Sequence, residues 1–97
     1  MSAYLLAICE ITNPGPGLKE YSEQSAKISA SYGGKYLVRS PNGDVKEGEQ
    51  LSGKVTIISE FPSMEKLLEF YNDPAYQDVK KLREGTGNYE IAFYEGL

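Results

Sequence analysis

The chain has 97 residues, a formal net charge of −4, eight tyrosines, one cysteine, and no histidine or tryptophan. That length predicts one domain, residues 1–97, burying roughly 60–65% of its unfolded surface. One cysteine excludes an internal disulfide and, without histidine, the usual zinc sites, while the acidic balance argues against nucleic acid or an anionic membrane as partner.

The first strand is Tyr4 to Ile11. Leu5, Ala7, Cys9 and Ile11 share one face, and Tyr4, Leu6, Ile8 and Glu10 the other, because successive strand side chains point to opposite sides. Thr12 to Gly17 (TNPGPG) is a Pro/Gly corner. Leu18, Tyr21, Ser25, Ile28 and Tyr32 then recur every three or four residues, the buried stripe of an amphipathic helix. Lys19, Glu20, Glu23 and Lys27 lie mostly outside it. Gly33 and Gly34 end the helix, one of them in the left-handed position. Lys35 to Ser40 is the second strand, with Tyr36 and Val38 on one face and Lys35, Leu37 and Arg39 on the other. Pro41 to Asp44 forms a turn. Val45 to Gly53 is polar and reads as a short strand extension or a mobile flap.

Lys54 to Phe61 is the third strand. Val55, Ile57, Ser59 and Phe61 fall on one side, and Lys54, Thr56, Ile58 and Glu60 on the other. Pro62 has no N–H and ends the ladder. Ser63 stands as a helix N-cap, with Glu65 in the first turn, where the helix dipole favours an anion. Met64, Leu67, Leu68 and Tyr71 follow at helical spacing. Asn72 to Pro74 breaks the helix and restarts it, Asp73 as cap and Pro74 at the first position. Tyr76, Val79, Lys80, Leu82 and Arg83 belong to the second segment, which Gly85 to Gly87 closes. Tyr89 to Glu95 is the last strand.

The order β-α-β-β-α-β predicts an α+β, ferredoxin-like protomer: an antiparallel four-stranded sheet with helices on one face. The helices belong over the apolar face of Leu5, Ala7, Cys9, Ile11, Tyr36, Val38, Val55, Ile57, Phe61, Tyr89, Ile91 and Phe93. The opposite face carries Tyr4, Leu6, Ile8, Glu10, Leu37, Arg39, Thr56, Ile58, Glu60, Ala92 and Tyr94. It is too apolar for water and too charged for an ordinary core, so a second copy is expected to meet it sheet to sheet, as a homodimer. The N-terminus lacks the basic start of a signal peptide, and no run reaches the ~20 apolar residues of a membrane span. A cytoplasmic location is therefore expected.

Three stretches, YGGKYLVRS, VTIISEFPSMEKLLEFYNDPAYQ and KKLREG, resemble the domain-of-unknown-function 1330 family of the dimeric α/β-barrel superfamily. The resemblance covers nearly the whole chain and implies a ferredoxin-like protomer and a homodimer. It implies no established reaction; superfamily relatives include cofactor-free monooxygenases, muconolactone-isomerase-like enzymes and haem-handling proteins. The segment Asn13 to Gly17 departs from the family pattern, which has an acidic residue before the first-helix proline and no extra Pro-Gly.

Without histidine the commonest general base and the usual haem ligand are missing, so no cofactor is expected. Cys9 falls on the helix-covered face, where a thiol is inert. The candidates are the polar residues of the mixed face. Glu60, its pKa raised inside a closed barrel, serves as proton-transfer base, and Arg39 holds a carboxylate or enolate oxygen by two hydrogen bonds. Glu10, Tyr4, Thr56, Tyr94 and Arg83 are candidate substrate-binding residues. The competing explanation is structural. One hairpin register puts Lys35 across from Glu60 and Arg39 across from Thr56, and Glu10 or Glu60 with Arg39 can lock a dimer. Arg83, with Lys80 and Lys81, complements a helix dipole. Two function classes stay open: a cofactor-free isomerase, lyase or oxygenase acting on a small carbonyl, carboxylate or aromatic compound, and a non-catalytic dimeric module that binds a small ligand.

Overall fold

A computed structural model describes residues 1–97. Strand β1 (Ala3–Ile11) leads through the Pro/Gly corner into helix α1 (Pro16–Ser31), which starts on Pro16. Proline suits a first turn because its missing N–H has no helical partner there. Gly33, at φ 82°, takes the left-handed position after α1. Strands β2 (Lys35–Ser40) and β3 (Val55–Phe61) follow. The connection between them, 41–54, contains no strand.

Helix α2 (Met64–Asn72) is capped as its sequence requires: the Ser63 hydroxyl accepts from the Lys66 N–H at 3.1 Å. Asp73 then caps α3 (Pro74–Val79), accepting from the Ala75 N–H at 2.7 Å and from the Tyr32 hydroxyl at 2.5 Å. That second bond ties the helix restart to the end of α1. A single 3-10 turn (Lys80–Arg83) leads into β4 (Gly87–Glu95).

The four strands are antiparallel in the order β2-β3-β1-β4, the ferredoxin-like arrangement. The helices cover the face of Ala3, Leu5, Ala7 and Cys9, which with Phe61, Leu67, Phe70 and Tyr76 form the core. Phe61, Phe70 and Tyr76 stack in series, with ring centroids 5.3 and 4.7 Å apart. Fully burying one such side chain contributes about 1.5–3 kcal/mol.

One strand departs from the simple alternation. Tyr36 pairs with Ser59 and Val38 with Ile58, so Leu37 is an extra residue, a β-bulge. A bulge shifts every later side chain to the other face. Arg39 therefore pairs with Ile57, on the helix-covered side, rather than with Thr56. Val38 moves to the open face, opposite Ile58. The expected pair of Lys35 and Glu60 is present, their charged atoms 3.3 Å apart.

Candidate functional site

The bulge at Leu37 builds the site. Across the sheet, Arg39, Ile57, Ala7 and Ile91 form one row on the helix side, and Tyr36, Ser59 and Leu5 form the next. Above these rows α1 presents Tyr21, Ser22, Ser25 and Ser29, residues three and four apart on one helical face. Between α1 and the sheet lies a cavity of about 80 Å³, closed further in by Phe61, Phe70 and Tyr76. Most of its wall is apolar, yet Ser25 and Ser59 are both buried in it. Its walls carry no carboxylate and no thiol.

Arg39 stands where the cavity meets a wider surface groove along the first turns of α1, lined by Gly15, Leu18, Lys19 and Glu23; Ser22 also borders both. Its guanidinium lies 5.4 Å from the centre of the Tyr36 ring and takes part in none of the ion pairs of the fold. A guanidinium held by an aromatic face and engaged in no ion pair keeps its forked donors for an incoming anion.

On the other side of the cavity the Tyr21 and Tyr76 hydroxyls meet at 2.8 Å. Arg83 lies behind them, 5.4 Å from the Tyr21 ring centre and 4.6 Å from that of Tyr89. Its Nε is buried without a partner. Burial lowers the Arg83 pKa, but the phenol oxygens of Tyr21 and Tyr76 outweigh that and raise it. Burial, and then Tyr76, push the Tyr21 phenol far above its ordinary range, against the opposing pull of Arg83. Tyr21 thus stays a neutral hydrogen-bonding group at any physiological pH. Burial also pushes the Cys9 thiol up, with Arg83 opposing, which agrees with an inert thiol.

The remaining sequence candidates lie on the open face. The Tyr4 hydroxyl donates to Glu60 at 3.1 Å, and Lys35 approaches the other carboxylate oxygen. Glu10 accepts from the Asn88 amide at 2.9 Å. Thr56 pairs with Ile8, and Tyr94, half exposed, pairs with Tyr4. One expectation needs correction. Arg39 and Glu60 are on opposite faces of the sheet and cannot act on one ligand within a protomer. In the single chain, hydrogen bonds from Ser2, Lys35 and Tyr4 favour the charged form of Glu60 and lower its pKa. No three metal-ligating side chains converge anywhere in the fold.

The cavity residues Tyr21, Ser22, Ser25, Ser29, Ser59 and Tyr76 are not among the sequence candidates. Their signal is present in retrospect: serines at positions 22, 25 and 29 share one helical face, and Ser59 interrupts an otherwise apolar strand face. Small hydroxyls where a core wants methyl groups mark a polar cavity.

The chain belongs to the family described as domain of unknown function DUF1330, whose model matches residues 2–97. Solved structures share its fold. A protein of unknown function from Rhodopseudomonas palustris superposes with a TM-score of 0.79 at 19% identity, over 99% of this chain and 82% of that one. SnoaB, a cofactor-independent oxygenase from Streptomyces nogalater, gives 0.69 at 6% identity, over 99% and 93%. A dimeric ferredoxin-like protein of unknown function from Jannaschia sp. CCS1 gives 0.65 at 14%, over 99% and 100%. No curated protein matches the chain in sequence.

Proposed function

We propose that this chain is a single-domain homodimeric protein that binds a small, mostly apolar anion, a carboxylate or enolate, in the cavity beneath α1. The observation that carries the proposal is Arg39: a guanidinium without an ion-pair partner at the mouth of a largely apolar cavity. A volume of about 80 Å³ is roughly half that of the ~150 Å³ cavity known to hold benzene. A short aliphatic chain suits it better than an aromatic ring.

The dimer is supported by the open face. Leu6, Ile8, Ile58, Val38 and Ala92 have no helix over them, and Tyr94 and Val38 are exposed. The likeness to a dimeric ferredoxin-like protein supports it too. Glu60, Tyr4, Glu10 and Thr56 then belong to the interface, as polar residues that fix how two sheets meet. A single, buried, unpaired cysteine suits a cytoplasmic setting, and no helix is long and apolar enough to cross a membrane.

The test is titration of wild type and Arg39→Met with pentanoate, hexanoate and benzoate, followed by protein NMR shifts. Saturable binding of the alkanoates, lost in Arg39→Met at unchanged thermal stability, is the expected result. No saturation, or equal affinity in the variant, refutes the assignment. A second reading, a cofactor-free enzyme on a carbonyl or aromatic compound, is favoured by the fold shared with SnoaB. It requires the ligand to be consumed during the titration; a binding module returns it unchanged.

A further inference from the structure

The hydroxyl pair at the far side of the cavity narrows the ligand class, on the assumption that the cavity beneath α1 is the ligand site. Tyr76 is almost wholly buried, and its hydroxyl and that of Tyr21 are each other's partners at 2.8 Å. Two hydroxyls carry two protons, and the bond between them uses one. The second proton needs an acceptor. Arg83 lies beside both oxygens, but a guanidinium only donates. It can occupy lone pairs and cannot take the proton. Both tyrosines line the cavity, whose other polar walls are serine hydroxyls and Arg39. Neither hydroxyl has a hydrogen bond in the fold beyond the one they share, so the pair keeps one donor free at the cavity wall.

The two ends of the site are also well separated. Arg39 comes from edge strand β2, while Arg83 packs on Tyr89 of the opposite edge strand, β4. The two edge strands lie three spacings, ~14 Å, apart, and the hydroxyl pair sits beside Arg83. A ligand anchored at Arg39 by a carboxylate therefore reaches toward the hydroxyl pair with its tail rather than its head.

We infer that the ligand carries a second oxygen at that tail: the site takes a short aliphatic oxo acid, its carboxylate on Arg39 and its carbonyl oxygen accepting from the Tyr21–Tyr76 pair. Arg83 is a positioning residue, fixing the direction of the pair's donor without touching the ligand. Alkanoates lacking the carbonyl leave that donor unpaired, which a buried hydrogen-bonding site penalises.

The experiment compares 4-oxopentanoate and 5-oxohexanoate with pentanoate and hexanoate by isothermal titration, on wild type, Tyr21→Phe, Tyr76→Phe and Arg39→Met. On wild type, at least one oxo acid is expected to bind about fivefold or more tightly than the alkanoate of the same length. Each Phe variant keeps the ring packing, and the one that removes the hydroxyl donating to the ligand is expected to bring the oxo acid down to the affinity of the alkanoate of the same length. Arg39→Met is expected to weaken all four acids together. If the alkanoates saturate but the oxo acids bind no better, or if the preference survives in both Phe variants, the inference is overturned and the anion site stands. If none of the four saturates, or Arg39→Met binds them all unchanged, the anion site itself is wrong. Should Tyr76→Phe fail to fold, the wild-type ratio decides the matter.

Discussion

Ser59→Val tests whether the cavity is functional space kept open at the expense of stability. Ser59 sits in β3, which is flanked by strands on both sides, pairs with Leu5 and Tyr36, is 6% exposed, and lines the cavity. Valine puts a methyl where the hydroxyl is and adds a second methyl. Each buried methyl contributes about 0.8 kcal/mol, so the pair contributes about 1.5 kcal/mol. The cavity sets the same scale: 80 Å³ at about 24 cal/mol per Å³ is a deficit of about 2 kcal/mol, which two methyls largely fill. The β-preference of valine adds a few tenths. For a chain of this size 1 kcal/mol moves Tm by about 4–8 °C, so Ser59→Val should melt roughly 6–15 °C higher. The assay is calorimetry at equal protein concentration, since the Tm of the proposed dimer depends on concentration, with Ser59→Ala as the control that removes the hydroxyl without filling the space. The same variant should lose hexanoate binding, the usual trade between stability and a site. A Tm several degrees below wild type would refute the reasoning: the hydroxyl would then be holding the fold together, and the cavity would not be free space.

Three further outcomes are expected. Deleting Leu37 removes the bulge but leaves Tyr36 and Arg39 on the helix side and Val38 on the open side, so hexanoate binding should persist; loss of binding in a folded deletion variant would contradict the observed register. Gly34→Ala puts a Cβ against the Ser29 hydroxyl and 2.6–2.7 Å from two ring carbons of the buried Phe61. Overpacking of that kind destabilises by about 1–3 kcal/mol, measurable by urea unfolding, and an unchanged midpoint would mean α1 and β2 shift freely. Glu60 has a folded-state pKa below its ordinary value of 4.5, so its hydrogen bonds stabilise the fold above that value and cease to do so as pH falls through the lowered one. The Tm gap between wild type and Glu60→Gln should therefore be widest near neutrality and close on acidification; a gap independent of pH would assign it to something other than the charge.

Much of the fold is legible in the sequence because it is written locally. Alternation defines β1 and β3, Ser63 and Asp73 mark the helix starts with side chains that reach their own backbone, and Gly33 ends α1 where only a residue without Cβ is comfortable. These rest on residues within a few positions of one another, and element order then permits few topologies. The site is different. KYLVRS alternates equally well with or without a bulge, and only its pairing with β3 makes Leu37 the extra residue. That one insertion carries Arg39 away from Glu60 and into the cavity, which no reading of β2 alone can reveal. The cavity likewise exists only between elements distant in sequence: serines of α1 over Ser59 of β3, and Tyr21 bonded to Tyr76 fifty-five residues on. The sequence determined which residues point the same way within each element; the tertiary structure decided which elements those faces meet, because cross-strand register and helix packing are set by partners far along the chain.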